Sequence, residues 1–250
     1  MAKQDSIINI LGTLNGLTFY KTQDGYIVRR KGGFTTSRIA TDPVFARTRE
    51  NSKEFGNAAK AGKLLRTVLS NLMLNASDNR VTPRLTQVMR NLLNSDTTSE
   101  RGKRNVATAI LNIPAQEMLN GFNFNKNAVL STVLKKPFTV DVVTGVIEIN
   151  GLVPLKDIVY PKGATNVIFK SAWVKLDFAN EKYEIVNSNL VDLNIDNIST
   201  NITLTPNGAA PKLTGTSVFA LNIEFKQIVN GQEYSLNNGA FNSLCIVDVK

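Results

Sequence analysis

The motif that most resembles a metal site lies near residue 194. Asp192, Asn194 and Asp196 occupy alternate positions, like the first three ligands of a calcium-binding loop. Asn197 replaces the glycine that such a loop needs for its turn, and Thr203 stands where the loop has a bidentate glutamate. Strict alternation of polar and apolar residues is also typical of a half-buried strand. The pattern therefore favours an edge strand, and we expect neither a metal ion nor another cofactor.

Residues for nucleophilic or acid–base catalysis are scarce. The chain has no histidine, which excludes Ser-His-Asp and Cys-His catalysis. Its single cysteine, Cys245, lies among apolar residues, which predicts a buried thiol rather than a nucleophile. Asp177 and Glu184 could act as an acid–base pair, but scattered carboxylates on a β-rich surface are usually solvated. P-loop, dinucleotide-binding and nucleophile-elbow motifs are absent, and we expect a protein that is not an enzyme.

Positive charge is concentrated in the first half of the chain. Residues 1–110 contain 18 basic and 8 acidic residues, a net charge of +10. Residues 111–250 contain 11 basic and 12 acidic residues, a net charge of −1, and the last arginine is Arg104. This asymmetry predicts two units with different surroundings. We place them at residues 1–120, a basic meander and helical domain, and at residues 122–250, a β-domain.

The first 31 residues predict a three-stranded β-meander. Residues 6–10, 17–20 and 26–30 are rich in β-branched and aromatic residues. Asn15-Gly16 and Asp24-Gly25 supply the positive φ angles that tight hairpin turns require. A meander of this size is barely stable alone, so it must pack on a helix, on the second domain or on a neighbouring subunit.

Three helices are predicted next. The first begins with Thr41-Asp42-Pro43, a capping side chain followed by proline, and extends to about residue 74 with a bend near Gly56. Its apolar face consists of Phe55, Ala58, Ala61, Leu65, Val68, Leu69 and Leu72. The second spans residues 83–93. The third spans residues 97–113, because Thr97 and Glu100 have the spacing of a capping box, and a short helical turn follows at 115–119.

From residue 122 the hydrophobic pattern changes to period two. Alternating runs at 138–142, 146–149, 167–178 and 221–225 are separated by Asn-Gly and Thr-Gly turns. Seven to nine short strands without intervening helices are typical of an antiparallel β-sandwich. The fold class predicted for the whole chain is therefore α+β: an N-terminal β-meander, three helices and an antiparallel β-sandwich.

The basic residues of the first half are the strongest functional signal. They lie in a loop or arm near Gly32-Gly33 and on the outer face of the first helix. The candidate contact residues are Arg29, Arg30, Lys31, Phe34, Arg38, Arg49, Lys53, Lys60 and Lys63. Such residues could neutralise nucleic-acid phosphates, with Phe34 as a stacking contact. They could equally meet acidic surfaces of neighbouring subunits or maintain solubility.

Three segments of the basic half carry a resemblance. They read GLTFYKTQDGYIVRRKGG at 16–33, DPVFARTREN at 42–51 and EFGNAAKAGK at 54–63. They resemble a family of uncharacterised proteins from the Bacteroidota and their phages, over about residues 1–110. The resemblance implies no activity and no catalytic residues, and it implies a phage or assembly protein.

These observations favour a structural, self-assembling protein. We expect a phage virion component or the subunit of a filament or tube, held by inter-subunit contacts of the N-terminal meander and the basic arm, with itself or other structural subunits as partners. The alternative is a nonspecific nucleic-acid-binding protein that uses the basic half. A carbohydrate-binding or hydrolytic β-domain is a third, weaker hypothesis. The N-terminus lacks the pattern of a signal peptide, so we expect cytoplasmic synthesis, no membrane insertion and later incorporation into a virion or an extracellular assembly.

Overall fold

Helices and antiparallel strands both build the protein, so the fold class is α+β, as predicted. The computed structural model describes residues 2–5, 7–30, 32–236 and 240–250. The chain forms two compact units, residues 1–49 and 50–250. The predicted boundary near residue 121 falls inside the second unit.

A four-stranded antiparallel sheet dominates the first unit. Its strands are β1 (Ala2–Lys3), β2 (Gly12–Leu14), β3 (Leu17–Thr22) and β4 (Gly25–Arg30), in the order β1-β4-β3-β2. Asn15 and Gly16 have φ angles of 46° and 76°, as the predicted hairpin turn requires. That turn pairs Leu14 with Leu17, so the strand before it is residues 12–14. The predicted strand at 6–10 is wrong for residues 7–10, and Ser6 lies outside the described residues.

Helices follow the sheet. They are α1 (Thr36–Thr41), a 3-10 turn (Pro43–Phe45), α2 (Ala46–Val68), α3 (Ser70–Met73), α4 (Val81–Leu93), α5 (Val106–Ala109) and α6 (Ile113–Leu119). The Asp42 side chain caps the 3-10 turn by accepting the Val44 N–H at 3.0 Å. Helix α2 is continuous through Gly56, near which the sequence predicts a bend. The helical segment predicted to reach residue 74 is interrupted at Leu69. On its predicted apolar face only Phe55 is exposed.

The predicted helix over 97–113 is wrong. Residues 97–104 are bends, a turn and irregular backbone, and within 97–112 only α5 is helical. The physical reason is Asp96, whose buried carboxylate accepts the N–H groups of Thr98, Ser99 and Asn105 at 3.0–3.2 Å. Asp96 therefore holds these residues as a loop, and Asn105 caps α5 by accepting the Thr108 N–H.

Antiparallel strands form the rest of the second unit. After the short helix α7 (Leu130–Val133) come β5 (Thr139–Val140), β6 (Ile147–Leu152), the short helix α8 (Pro154–Asp157), β7 (Asn166–Asp177), β8 (Lys182–Asn187), β9 (Val191–Asn194), β10 (Thr200–Leu204), β11 (Thr216–Val229), β12 (Gln232–Ser235) and β13 (Ser243–Val249). One sheet has the order β10-β6-β5. The other is large and curled, has the order β12-β11-β7-β8, and adds β13 along β11 and β9 along β7.

The large sheet has a hydrophobic core on each face. Val167 and Phe169 of β7 belong to a core shared with the three-stranded sheet. Ala172 and Val174, which have the opposite parity along the strand, belong to a core shared with α2, α4 and α6. Every buried residue of the described chain lies in the second unit, beginning at Ala58. Residues 50–250 therefore contain the cores that a folding unit needs.

Candidate functional site

The sheet of the first unit has one apolar face. Directly paired residues of an antiparallel sheet point to the same side, and neighbours along a strand point to opposite sides. The pairs Leu14–Leu17, Phe19–Val28 and Lys21–Tyr26 therefore share a face. We call Leu14, Leu17, Phe19, Tyr26 and Val28 the apolar face. Leu14 is 57% exposed and Leu17 40% exposed.

Within the described part of the first unit, no layer covers this apolar face. Among the residues described before position 50, none is buried. A sheet of this size gains its stability from packing one face against another layer. The apolar face is therefore the surface of the first unit that requires a partner.

The other side of the sheet is more polar. The pairs Thr18–Arg29 and Tyr20–Ile27 lie on it, and Lys3 pairs with Ile27. The Arg29 guanidinium carbon lies 5.5 Å from the centre of the Tyr20 ring, within the range of a cation–π contact. We call Lys3, Thr18, Tyr20 and Arg29 the polar face.

Two of the predicted contact residues are separated by the pleat of β4. Arg29 and Arg30 are consecutive residues of this strand, so Arg29 lies on the polar face and Arg30 at one end of the apolar face. Both are exposed. Lys31, the third predicted cation of this group, lies outside the described residues. The two arginines therefore serve different surfaces, although they are adjacent in sequence.

Phe34, Arg38 and Arg49 form a local cluster with the segment between them. The rings of Phe34 and Phe45 meet edge to face with centres 5.1 Å apart, and the Arg38 guanidinium lies 5.3 Å from the Phe34 ring. Arg38 Nε also contacts Asp42 Oδ2 at 3.2 Å. Arg49 Nη1 donates to the carbonyl oxygens of residues 39 and 42, both at 2.8 Å. Arg49 therefore fixes the backbone of this segment.

Lys53, Lys60 and Lys63 lie on the exposed side of α2, as predicted for its basic face. Lys60 Nζ contacts Glu181 Oε1 at 3.2 Å, and both side chains are more than half exposed. An exposed ion pair of this kind contributes little to stability because water and salt screen it.

Only part of the calcium-like motif is a strand. Asp192 and Asn194 lie on β9, which pairs with the first residues of β7, as the edge-strand interpretation expects, whereas Asp196 lies in the bend that follows β9. The Asn166 amide donates to both side chains, at 3.0 and 3.1 Å. Lys226 donates to Asp192 and to Glu233, and these hydrogen bonds raise the pKa of Lys226. The side chains of Asp192 and Asn194 are therefore used within the sheet, and Asp196 accepts the Ile198 N–H in the following bend.

The remaining titratable candidates have local partners. Asp177 Oδ1 accepts the N–H groups of residues 179 and 180, and Glu184 Oε2 accepts those of residues 212 and 213. Cys245 is buried, and burial raises the pKa of its thiol to about 12. At neutral pH this thiol is protonated and weakly nucleophilic.

Sequence reasoning found β3 and β4 but not β2, which carries Leu14, and it did not identify the apolar face. The signal is the period-two placement of Leu17, Phe19 and Lys21, which continues across the turn as Tyr26, Val28 and Arg30.

Within the described ranges, no three His, Cys, Asp or Glu residues are grouped to hold a metal ion. None of the helices in those ranges combines the length and apolar character that a membrane span requires. No protein-family model, curated protein or solved structure matches this chain.

Proposed function

We propose that this chain is a structural, self-assembling protein, a virion component or the subunit of a filament or tube. The observation that carries the proposal is the uncovered apolar face of the N-terminal sheet. In the assembly this face packs on a second copy of the chain. Burial of each half-exposed side chain contributes on the order of 1 kcal/mol, so the face supplies a contact of several kcal/mol.

Charge favours a second copy as the occupant. The first unit carries 8 basic and 3 acidic residues, a net charge of +5, and Lys21 and Arg30 stand at the two ends of the apolar face. A complementary surface must combine exposed apolar side chains with carboxylates.

Residues 50–250 offer such a surface. Leu155 is 45% and Ile198 65% exposed, and the Leu155 N–H donates to the Asp196 carbonyl at 2.9 Å, which holds these segments together. Asp157 and Asp196 supply the carboxylates, each of which already accepts one backbone N–H, from Val153 and Ile198 respectively. Contact between the apolar face of one copy and this surface of the next is head-to-tail, and such contacts propagate into rings or filaments.

Nucleic-acid binding is the second candidate, and it uses the polar face. Tyr20 with Arg29 and Lys3 combines an aromatic ring with cations, the composition of surfaces that bind single strands. The two candidates thus assign their contacts to opposite sides of one sheet.

Adjacent residues of β3 provide a matched test. Phe19→Ser removes a side chain from the apolar face, and Tyr20→Ser removes one from the polar face of the same strand. We expect wild type and Tyr20→Ser to form multimers in light-scattering chromatography, and Phe19→Ser to elute as a monomer. If Phe19→Ser disturbs the sheet, Leu14→Asp on the edge strand β2 is the substitute variant. We expect Leu14→Asp to elute as a monomer as well.

Two results would contradict self-assembly. One is a wild-type protein that stays monomeric at every concentration. The other is a Phe19→Ser variant that assembles like wild type. Binding of a labelled single-stranded oligonucleotide that Tyr20→Ser abolishes would instead support the nucleic-acid function.

We also interpret the β-strands of residues 122–250 as a β-sandwich. This interpretation rests on the core that β6 and β10 share with β7 and β11, which fills the space between two antiparallel sheets. The helices of residues 50–120 then form a third layer on the outer face of the large sheet.

A further inference from the structure

Three arginines line one polar pocket in the unit formed by residues 50–250. Arg90 comes from the last turn of α4, and Arg101 and Arg104 come from the loop between α4 and α5. Asn51 and Glu54 of α2 also line the pocket, which has a volume of about 320 Å³. We call it the arginine pocket.

The loop that supplies two of these arginines is held at both ends and in its middle. Asp96 accepts N–H groups at its start and the Asn105 N–H at its end. In the middle, the Gly102 N–H donates to Glu54 Oε1 at 2.7 Å. Gly102 has a φ of +84°, and a Cβ at this position would lie 2.7 Å from Glu50 Cγ. The glycine therefore lets the loop approach α2, and Arg101 and Arg104 are positioned before any ligand arrives.

The positive charge of the pocket is only partly neutralised. Arg101 Nε lies 3.4 Å from Glu50 Oε2, and Arg101 Nη2 donates to Asn51 at 3.2 Å. None of the ion pairs among the described residues involves Arg90 or Arg104. The Nε of Arg104 is buried and has no hydrogen-bond acceptor. The Nε atoms of Arg66 and Arg84 are buried in the same way, so the case for a ligand rests on the three guanidinium groups that line the cavity.

Position at a helix C-terminus explains Arg90 alone. A cation in the last turn of α4 interacts favourably with the helix dipole. That effect provides no acceptor for the guanidinium of Arg104, and it does not account for three guanidinium groups around one cavity.

We propose that the arginine pocket binds phosphate as a dianion, either free or as the terminal group of a phosphate monoester. Three guanidinium groups face two carboxylates, that of Glu54 in the lining and that of Glu50 paired with Arg101, so one positive charge remains in excess. Guanidinium groups bind phosphate through paired, charge-assisted hydrogen bonds, and a tetrahedral anion can accept from several at once. The site lies outside the surfaces assigned to assembly.

Calorimetric titration of the full chain with inorganic phosphate tests the proposal at constant ionic strength. Arg104→Gln and Arg90→Gln each remove one lining cation, and Lys162→Gln removes an exposed cation that does not line the pocket. We expect saturable binding by wild type and by Lys162→Gln, and about tenfold weaker binding by each arginine variant. Because Arg90 is exposed, Arg90→Gln remains informative if Arg104→Gln fails to fold.

The proposal is overturned if wild type shows no saturable binding, or if both arginine variants bind phosphate as wild type does. Competition with a short oligonucleotide, with and without a 5′-phosphate, identifies the source of the anion. Displacement by the phosphorylated form alone supports a monoester, and displacement by neither form supports free phosphate. Equal displacement by both forms would overturn the assignment to a dianion, since internal phosphodiesters carry a single charge.

Discussion

Asp96→Asn changes one of the most buried carboxylates of the chain. The Asp96 side chain is 1% exposed and accepts four hydrogen bonds. Oδ1 accepts the N–H and hydroxyl of Thr98 and the N–H of Ser99, at 2.9–3.1 Å, and Oδ2 accepts the Asn105 N–H at 3.2 Å. Asparagine keeps an acceptor for Oδ1 but places an NH₂ group against the Asn105 N–H.

The expected loss follows from these contacts. One buried N–H loses its acceptor, and three hydrogen bonds lose the charge of the carboxylate. Together these changes lower the free energy of unfolding by about 1–3 kcal/mol at pH 7.

The loss should depend on pH. Burial raises the pKa of Asp96, but the hydrogen bonds from Ser99, Asn105 and Thr98 lower it by more, so its net pKa is well below the ordinary value of 3.8. A carboxylate whose pKa is lower in the folded state stabilises the protein above its unfolded pKa. It loses that contribution as the pH falls towards the folded pKa. The difference between wild type and Asp96→Asn should therefore be greatest near pH 7 and shrink below about pH 4.

Urea unfolding followed by circular dichroism at pH 7 and pH 3 measures the difference. Asp177→Asn is the matched control, because Asp177 accepts turn N–H groups in the same way but is only half-buried, and we expect a smaller loss. Equal losses for the two variants, or a difference between wild type and Asp96→Asn that does not change with pH, would refute this reasoning.

Three further predictions concern the second unit. A Cβ at Gly145 would lie 2.4 Å from Trp173 Cε3, so Gly145→Ala should displace the single tryptophan and shift its fluorescence, whereas Gly231→Ala, with no atom within 4 Å, should not. The Cys245 thiol, with a pKa of about 12, should react with a disulfide reagent at pH 8 several hundredfold more slowly in the native protein than in urea; equal rates would contradict its burial. Trypsin should trim the chain before residue 50 and spare the bond after Lys126, because the Lys126 N–H donates to Asp78 and the preceding backbone at 121–124 bonds to Leu244 and Ile246; cleavage after Lys126 would contradict a single unit of residues 50–250.

The strands with clear alternation could be predicted from the sequence, and the loop around Asp96 could not. The runs through Val167 and Leu221 identify β7 and β11 because one-residue alternation places side chains on two faces. At residues 97–105 the capping-box spacing indicates a helix start, but the competing acceptor, Asp96, lies just before the motif. Its burial depends on contacts that are distant in sequence.

The candidate surfaces also differ in how far they can be predicted from the sequence. Local pattern predicts β3 and β4, and the pleat of β4 alone places Arg29 and Arg30 on opposite sides, whereas only the pairing register shows that Leu14 of β2 belongs to the apolar face. The arginine pocket joins residues from three segments, such as Asn51, Arg90 and Arg104. No local pattern relates residues that far apart.

The central claim is that the apolar face of one copy packs on another copy. A photo-crosslinking amino acid at position 19 tests this directly, with the same amino acid at position 20 as the control on the opposite side of β3. Irradiation of the purified protein should give covalent dimers and larger multimers from position 19, and mainly monomer from position 20. Monomer alone from position 19, or equal multimer yields from both positions, would contradict the account.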